Sequence, residues 1–394
     1  MTIIKKYFLF VALFVLVSCV ENNLSNNITS EGNTKMEGIS SKVVEKTPPK
    51  EPEYYSATIS AIGDILAHKP VYEDASIGNS RYNFSKMFTQ VKPYIERADI
   101  TVANSESIIG GQELGLSSYP QFNSPYELGD SLKDVGVDVV NMANNHTLDK
   151  GEQAILNATK HWKELGIEYV GAAPSVEESQ QIKTLTVNNI TFSFLGYTYG
   201  TNGIPVPVGK EYLVNYIDEA KMIQDIQKAK EISDLVVLNL HIGDEYSRTQ
   251  NAYQEKIAQL AADYGVHIIF SHHPHVLQPV KWYTGVEGNQ TFVIHSLGNF
   301  LSSQNELYRQ IGGVMELDVA KSIAYDEEGN ANTTIEVKNP KFLPTYVKFT
   351  NWKDFKILPM YQVTNETLPN ADIIYEDIKK HMSQYVPDLQ FIES

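Results

Sequence analysis

The sequence predicts an α/β fold whose mixed sheets are flanked by helices, and three observations carry that prediction. Apolar runs of β type alternate with helical patterns from Tyr55 to about Phe300. Several of those runs end in amides, imidazoles or carboxylates, and open α/β sheets bind ligands at the carboxyl ends of their strands. From Gly312 onward, β-type runs follow one another without helices between them, which adds an antiparallel portion.

Tyr55–Leu66 reads as a strand that runs through Ile59, Ala61 and Ile62 into Gly63-Asp64 and then His68. Asn83–Arg97 reads as one helix, because Phe84, Phe88, Val91 and Ile95 recur at helical spacing, with Pro93 as a point of kinking. Ile100–Ala103 is a short strand opening into Asn104-Ser105-Glu106, and a Gly- and Ser-containing loop runs from Gly110 to Ser118. A helix over Pro125–Asp134 leads to the strand Val137–Met142, which stops in Asn144-Asn145-His146. Glu152–Leu165 is helical, with Ala154, Ile155, Ala158, Trp162 and Leu165 on one face, and Asp149 stands where it would cap that helix.

Glu168–Gly171 is the next strand, and Lys183–Tyr197 is a hairpin turning at Asn188-Asn189. The helix Asp218–Ser233 precedes the strand Leu235–Leu240, which ends in His241-Ile242-Gly243-Asp244-Glu245-Tyr246. The helix Tyr253–Tyr264 precedes the strand Val266–Phe270, ending in Ser271-His272-His273-Pro274-His275. Thr291–Ile294 ends in His295-Ser296-Leu297-Gly298-Asn299. Gly312–Ala320, Asn332–Val337 and Pro344–Phe349 are the late β-runs, and Ala371–Tyr385 is the last helix.

The N-terminus reads as a targeting segment. Lys5 and Lys6 precede an apolar run from Tyr7 to Val17, short for a membrane span but right for a signal peptide. It closes in Leu16-Val17-Ser18-Cys19, which resembles the bacterial lipobox. Residues 1–19 are therefore expected to be a lipoprotein signal with Cys19 as the lipidated residue, the alternative being an uncleaved signal anchor. Residues 20–53, rich in Asn, Ser, Glu, Lys and Pro, read as a disordered tether. Cleavage before Cys19 would remove two of the 32 basic residues, leaving 30 against 48 acidic and a mature charge of −18. Such an acidic chain excludes non-specific nucleic-acid binding. Cys19 is the single Cys, so no intrachain disulfide forms.

The strand ends collect Asp64, His68, Asn104, Glu106, Asn145, His146, His241, His273 and His275. Hard oxygen donors mixed with imidazoles suit Mn, Zn or Fe. Glu245 and Tyr246, close to His241 in sequence, are candidates for ordering it and for touching substrate.

Six ordered motifs now point the same way: Gly63-Asp64, Asn104-Ser105-Glu106, Ala143-Asn144-Asn145-His146 with Asp149 and Gly151, His241 to Tyr246, His272 to Val276, and Ser296-Leu297-Gly298-Asn299-Phe300. Together they resemble the CapA family linked to poly-γ-glutamate capsule synthesis, from about Ser56 to Met315. The resemblance implies a metallophosphatase-like four-layer α/β/β/α sandwich of two mixed sheets over 54–320. Residues 321–394 would then be a C-terminal antiparallel and helical extension packed on it. It implies metal ligation by Asp64, Glu106, Asn145, His241, His273 and His275, and catalysis by His146 with Asp149. His68, Asn104, Glu245, Tyr246 and Asn299 would lie around them or on substrate. The first motif departs from the phosphoesterase pattern, since the next His after Asp64 is His68, and the second offers Asn104 and Glu106. One or two divalent ions are therefore expected.

The expected function is extracytoplasmic and membrane-anchored, in poly-γ-glutamate capsule biosynthesis, through a metal-dependent hydrolase-type site. Its partners would be the membrane, the polymer and membrane synthetase subunits. The alternatives are a non-catalytic assembly or polymer-tethering subunit and a general envelope metallophosphoesterase.

Overall fold

The computed structural model describes residues 50–394. The expected signal peptide, Cys19 and nearly all of the tether lie outside the described residues. Two large sheets dominate. The first runs, edge to edge, Lys353–Pro359, Ala331–Thr350, Ile311–Tyr325, Glu53–Ile65, Ile100–Asn104, Val139–Asn141, Glu168–Val170, with two short strands beside this path. Its later members pair in parallel and its C-terminal members antiparallel. The second runs Leu277–Thr284, Gln290–Leu297, Ile268–His272, Leu235–His241, Ile190–Thr198, Lys183–Val187, parallel in the middle and antiparallel at both edges.

The four layers follow from the period-two alternation of the buried strands. Val237, Ile268, Phe270 and Phe292 face Ile59, Val102 and Val139 in the core between the sheets. Their neighbours Val236, Leu238, Ile269 and Val293 face the other way, against Met222 and Ile226 of the helix Glu219–Ile232 and Ile257 and Ala261 of the helix Ala252–Asp263. Ile62, Ala103 and Val140 meet the helices on the opposite side through Val71, Phe88, Leu128, Ile155 and Trp162. Strands buried on both faces read as continuous apolar runs, and these do.

Several elements differ from expectation. The single helix over 83–97 is two short ones, Ser85–Phe88 and Lys92–Ile95. Pro93 has no N–H to continue the first and stands in the first turn of the second. Phe84, Phe88, Val91 and Ile95 are buried all the same. The runs 332–337 and 344–349 are one strand, Ala331–Thr350. Its register slips opposite Glu316 and Asp318, where Asn339 has φ 51°; this bulge accommodates Pro340, which cannot donate to the ladder. The helix Lys69–Ala75 and the strands Leu277–Thr284 and Lys353–Pro359 are present beyond the expected elements. The expected boundary at 320/321 falls inside the strand Ile311–Tyr325, which pairs with Glu53–Ile65 along most of its length. The C-terminal strands therefore extend the first sheet, and Ala371, Tyr375, Ile378 and Met382 of the last helix join the core between the sheets. No helix among the described residues is long and apolar enough to cross a membrane.

Candidate metal centre

The Asp64 strand, the Asn104 strand and the strands ending in His241 and His272 converge at one end of the two sheets. Asp64 follows a bulge: the pairing with the next strand slips between Ile62 and Asp64. A β-carbon on Gly63 would stand 2.2 Å from the Gly298 carbonyl oxygen, so only glycine lets the two strands cross this closely. Asp64 Oδ1 accepts from Asn104 Nδ2 at 2.9 Å and faces His272 Nδ1 at 3.1 Å. Its Oδ2 lies 3.4 Å from His275 Nδ1. Asn104 Oδ1 accepts from Asn141 Nδ2 at 3.0 Å, which ties three neighbouring strands together by their side chains.

Glu106 Oε1 lies 3.5 Å from His241 Nε2 and 3.6 Å from His275 Nε2, too far for hydrogen bonds. Glu106, His273 and His275 each present one ligating atom, all within 4.8 Å of one another. His241 is held between two amides, Nδ1 at 3.3 Å from Asn104 Nδ2 and Nε2 at 2.8 Å from Asn145 Oδ1. His273 and His275 adopt φ 99° and 61°, left-handed conformations that cost of order 1–3 kcal/mol for such residues and concentrate at functional sites.

Both Glu106 oxygens, Asp64 Oδ2, His272 Nε2 and His273 Nδ1 are buried without a hydrogen-bond partner. Buried polar atoms left unpaired are costly, and five in one cluster fit a cation that would satisfy them. Burial pushes the Glu106 carboxyl well above its ordinary value, with His275 opposing and Asp64 adding. For Asp64 burial acts upward too, but the imidazoles of His272 and His275 outweigh it and hold the group low. Burial lowers His275, yet the Glu106 and Asp64 carboxylates override it and lift the group to about 9. Burial drives His241 far down and His273 to about 3, so both imidazoles are neutral, and His273 Nδ1 is without a partner and open to a ligand.

Beside this cluster His146 is 5% exposed and its Nδ1 meets Asp149 Oδ2 at 2.6 Å. Asp149 is not a helix cap. The helix Gly151–Leu165 starts after Lys150 with no side-chain cap, and Asp149 Oδ2 also accepts from the Phe122 N–H at 2.6 Å. Asn144 builds the turn: its Oδ1 accepts from the His146 N–H and its amide reaches the Ser105 and Met142 carbonyls. Phe122 packs edge-on against both His146 and His68. His68, its Nδ1 3.0 Å from the Leu66 carbonyl, stands behind that ring, and burial takes it down to about 4. Asn299 Oδ1 faces His275 Nδ1 at 3.1 Å.

Glu245 and Tyr246 are exposed at the rim. The expected ordering of His241 by Glu245 is not found: Asn104 and Asn145 occupy both ring nitrogens. His272, buried against Asp64, and Asn141, which donates to Asn104 Oδ1, belong to the site although the motifs assign neither. Signals existed for both, a His at the last position of an apolar strand and an amide inside Val-Val-Asn-Met. Nothing local marks Phe122, Asn202, whose Oδ1 accepts from Asn145 Nδ2 at 3.2 Å, or Tyr199, whose ring centroid is 4.6 Å from that of His273.

Among known proteins, the chain is 29% identical over 267 residues to the capsule biosynthesis protein CapA of Bacillus anthracis, covering 65% of this chain and 62% of that protein. It is also 29% identical over 275 residues to the PGA biosynthesis protein CapA of Bacillus subtilis (strain 168), covering 65% and 66%. The chain spans less than two thirds of the length of either relative. A phosphatase crystal structure from Mycoplasma pneumoniae aligns with TM-score 0.42 and 13% identity, over 73% of this chain and 94% of that one. Residues 58–304, more than half of the chain and every residue of the site just described, match the family of the bacterial capsule synthesis protein PGA_cap, and the chain belongs to that family.

Proposed function

We propose that this protein acts in poly-γ-glutamate capsule formation, as a lipid-anchored extracytoplasmic protein carrying a metal-dependent hydrolase-type site. The observation that carries the reading is the cluster of buried, unpartnered ligand atoms on Asp64, Glu106, His272 and His273. The two CapA relatives support the capsule role, and the lipobox at Cys19 supports the anchor. The partners would be the membrane, the polymer and membrane synthetase subunits.

Asp64, Glu106, Asn145, His241, His273 and His275 would hold one or two ions of Mn, Zn or Fe, with His272 added to the set. A bound divalent ion supplies Lewis acidity and an activated water at neutral pH. The chain's own residues do the rest. Asp149 Oδ2 fixes the His146 ring through Nδ1, leaving Nε2 to carry a proton to a leaving group. Phe122 excludes water from one side of that imidazole.

The test is elemental analysis of the purified chain with turnover of phosphoesters and of poly-γ-glutamate measured in parallel. Metal is expected, and chelation should lower thermal stability. Saturation at about 100 times Kd is worth about 2.7 kcal/mol. A metal-free chain with no shift on adding Mn or Zn overturns the reading.

A further inference from the structure

In this acidic protein one guanidinium stands at the mouth of the metal centre. Arg309 lies in the short turn Leu307–Gln310, beyond the family match that ends at 304. Its Cζ is 3.5 Å from the centroid of the Tyr246 ring, and that centroid is 6.0 Å from the His275 ring. One aromatic ring therefore separates the cation from a metal-ligand candidate. Both supports are fastened to the site. Tyr246, at φ 66°, donates its N–H to the Pro274 carbonyl at 2.7 Å, inside the turn that carries His273 and His275. Asn299 donates its amide to the Arg309 carbonyl at 2.8 Å while its Oδ1 faces His275.

The side chain is not locked by a buried partner. Its one ion pair among the described residues is with Glu306 at 3.1 Å, the two side chains being 25% and 66% exposed. An exposed pair three residues apart contributes little and is readily exchanged for a better anion. Stacking on the ring sets the plane of the guanidinium, and its donor fork matches a carboxylate or phosphate in bidentate fashion.

We infer that Arg309, braced on Tyr246, is the oxyanion-recognising arm of this site. It binds a carboxylate or phosphate group of the substrate beside the reacting bond, displacing Glu306, and so determines specificity without entering the chemistry. This rests on the metal-site reading above.

The test is calorimetric titration of the full chain, loaded with Mn, with inorganic phosphate and with glutarate; the tighter of the two names the source. For that anion Arg309→Ala should weaken binding about 10–100-fold, the usual scale for a charged hydrogen-bond donor. Arg309→Lys should recover part of the loss, keeping the charge without the fork. Mn affinity, titrated separately, should equal the parent's in both. With any ester that is turned over, the loss should fall on KM with kcat near the parent's. Parental anion affinity in Mn-loaded Arg309→Ala overturns the inference and leaves the metal-site reading standing. Loss of Mn affinity in step with anion affinity makes Arg309 a scaffold residue and overturns it too. Failure of the parent chain to bind Mn overturns the metal-site reading and this inference with it.

Discussion

His146 is buried beside the cluster that holds His273, and their loss should separate two jobs. His146 Nδ1 is committed to Asp149, whereas His273 Nδ1 has no partner. His146→Ala should lower turnover ~10²–10⁴-fold, the range for losing a general acid, with metal still bound. His273→Ala or His275→Ala should weaken metal binding at least as much as the roughly 10–100-fold known for losing a ligand's hydrogen-bond partner. Steady-state kinetics with metal titration checks both. Normal turnover in His146→Ala beside failure of the other two would make the metal structural and favour an assembly subunit.

At the scale of elements, the site depends on how the first strand crosses the short strand Asn299–Leu301. Asp64 pairs with Asn299 there, and its N–H donates to the Gly298 carbonyl at 2.8 Å. Gly298 itself has φ 63°. A methyl group on Gly63 would meet backbone oxygens of Gly298 and Leu297 at 2.2 and 2.8 Å, and neither can rotate aside. Gly63→Ala should destabilise the fold by about 1–3 kcal/mol or more, the cost of overpacking. Denaturant unfolding gives that number, and metal titration should show weaker binding because Asp64 moves with the strand. Parental stability and affinity would mean the crossing is looser than described.

For the molecule as a whole, acid sensitivity has a source away from the metal. His295, 1% exposed, faces Tyr283 Oη at 3.1 Å, and burial holds it down at about 4 against an ordinary 6.5. The folded state keeps this ring neutral while the unfolded chain protonates it. Its contribution is therefore intact above about pH 6.5 and is lost as pH falls toward 4, by up to about 3 kcal/mol. Unfolding of the chelated protein from pH 7 to 4 should show that slope, and His295→Gln should reduce it by this ring's share, since His267 and His68, also held at about 4 by burial, contribute in the same sense. The proposed lipid anchor is tested on the whole chain as well. Cys19→Ala should release the protein from the membrane fraction, because stable anchoring takes the two acyl chains of a lipoprotein. Unchanged fractionation would remove the lipid anchor from the proposal.

The sequence by itself determined the alternation of buried strands and helices and the strand ends that converge. Doubly buried strands are continuous apolar runs, and an abrupt change to Asn, His or Glu at their ends is visible in one dimension. Asp64, Asn104, Glu106, Asn145, His146, His241, His273 and His275 were legible for that reason as residues that converge, and the motif order suggests the roles proposed for them. Tertiary structure decided what depends on partners far along the chain. Local spacing could not show that Asp149 turns toward His146 and Phe122 rather than capping its helix, because both uses need the same carboxylate at the same position. It could not show that Glu245 stays at the rim, since nearness in sequence to His241 is not nearness across a turn. Nor could it show Arg309 on Tyr246, 63 residues apart in numbering. That contact exists because two loops from different strands are fastened to the same His-rich turn, a consequence of sheet order that no single segment encodes.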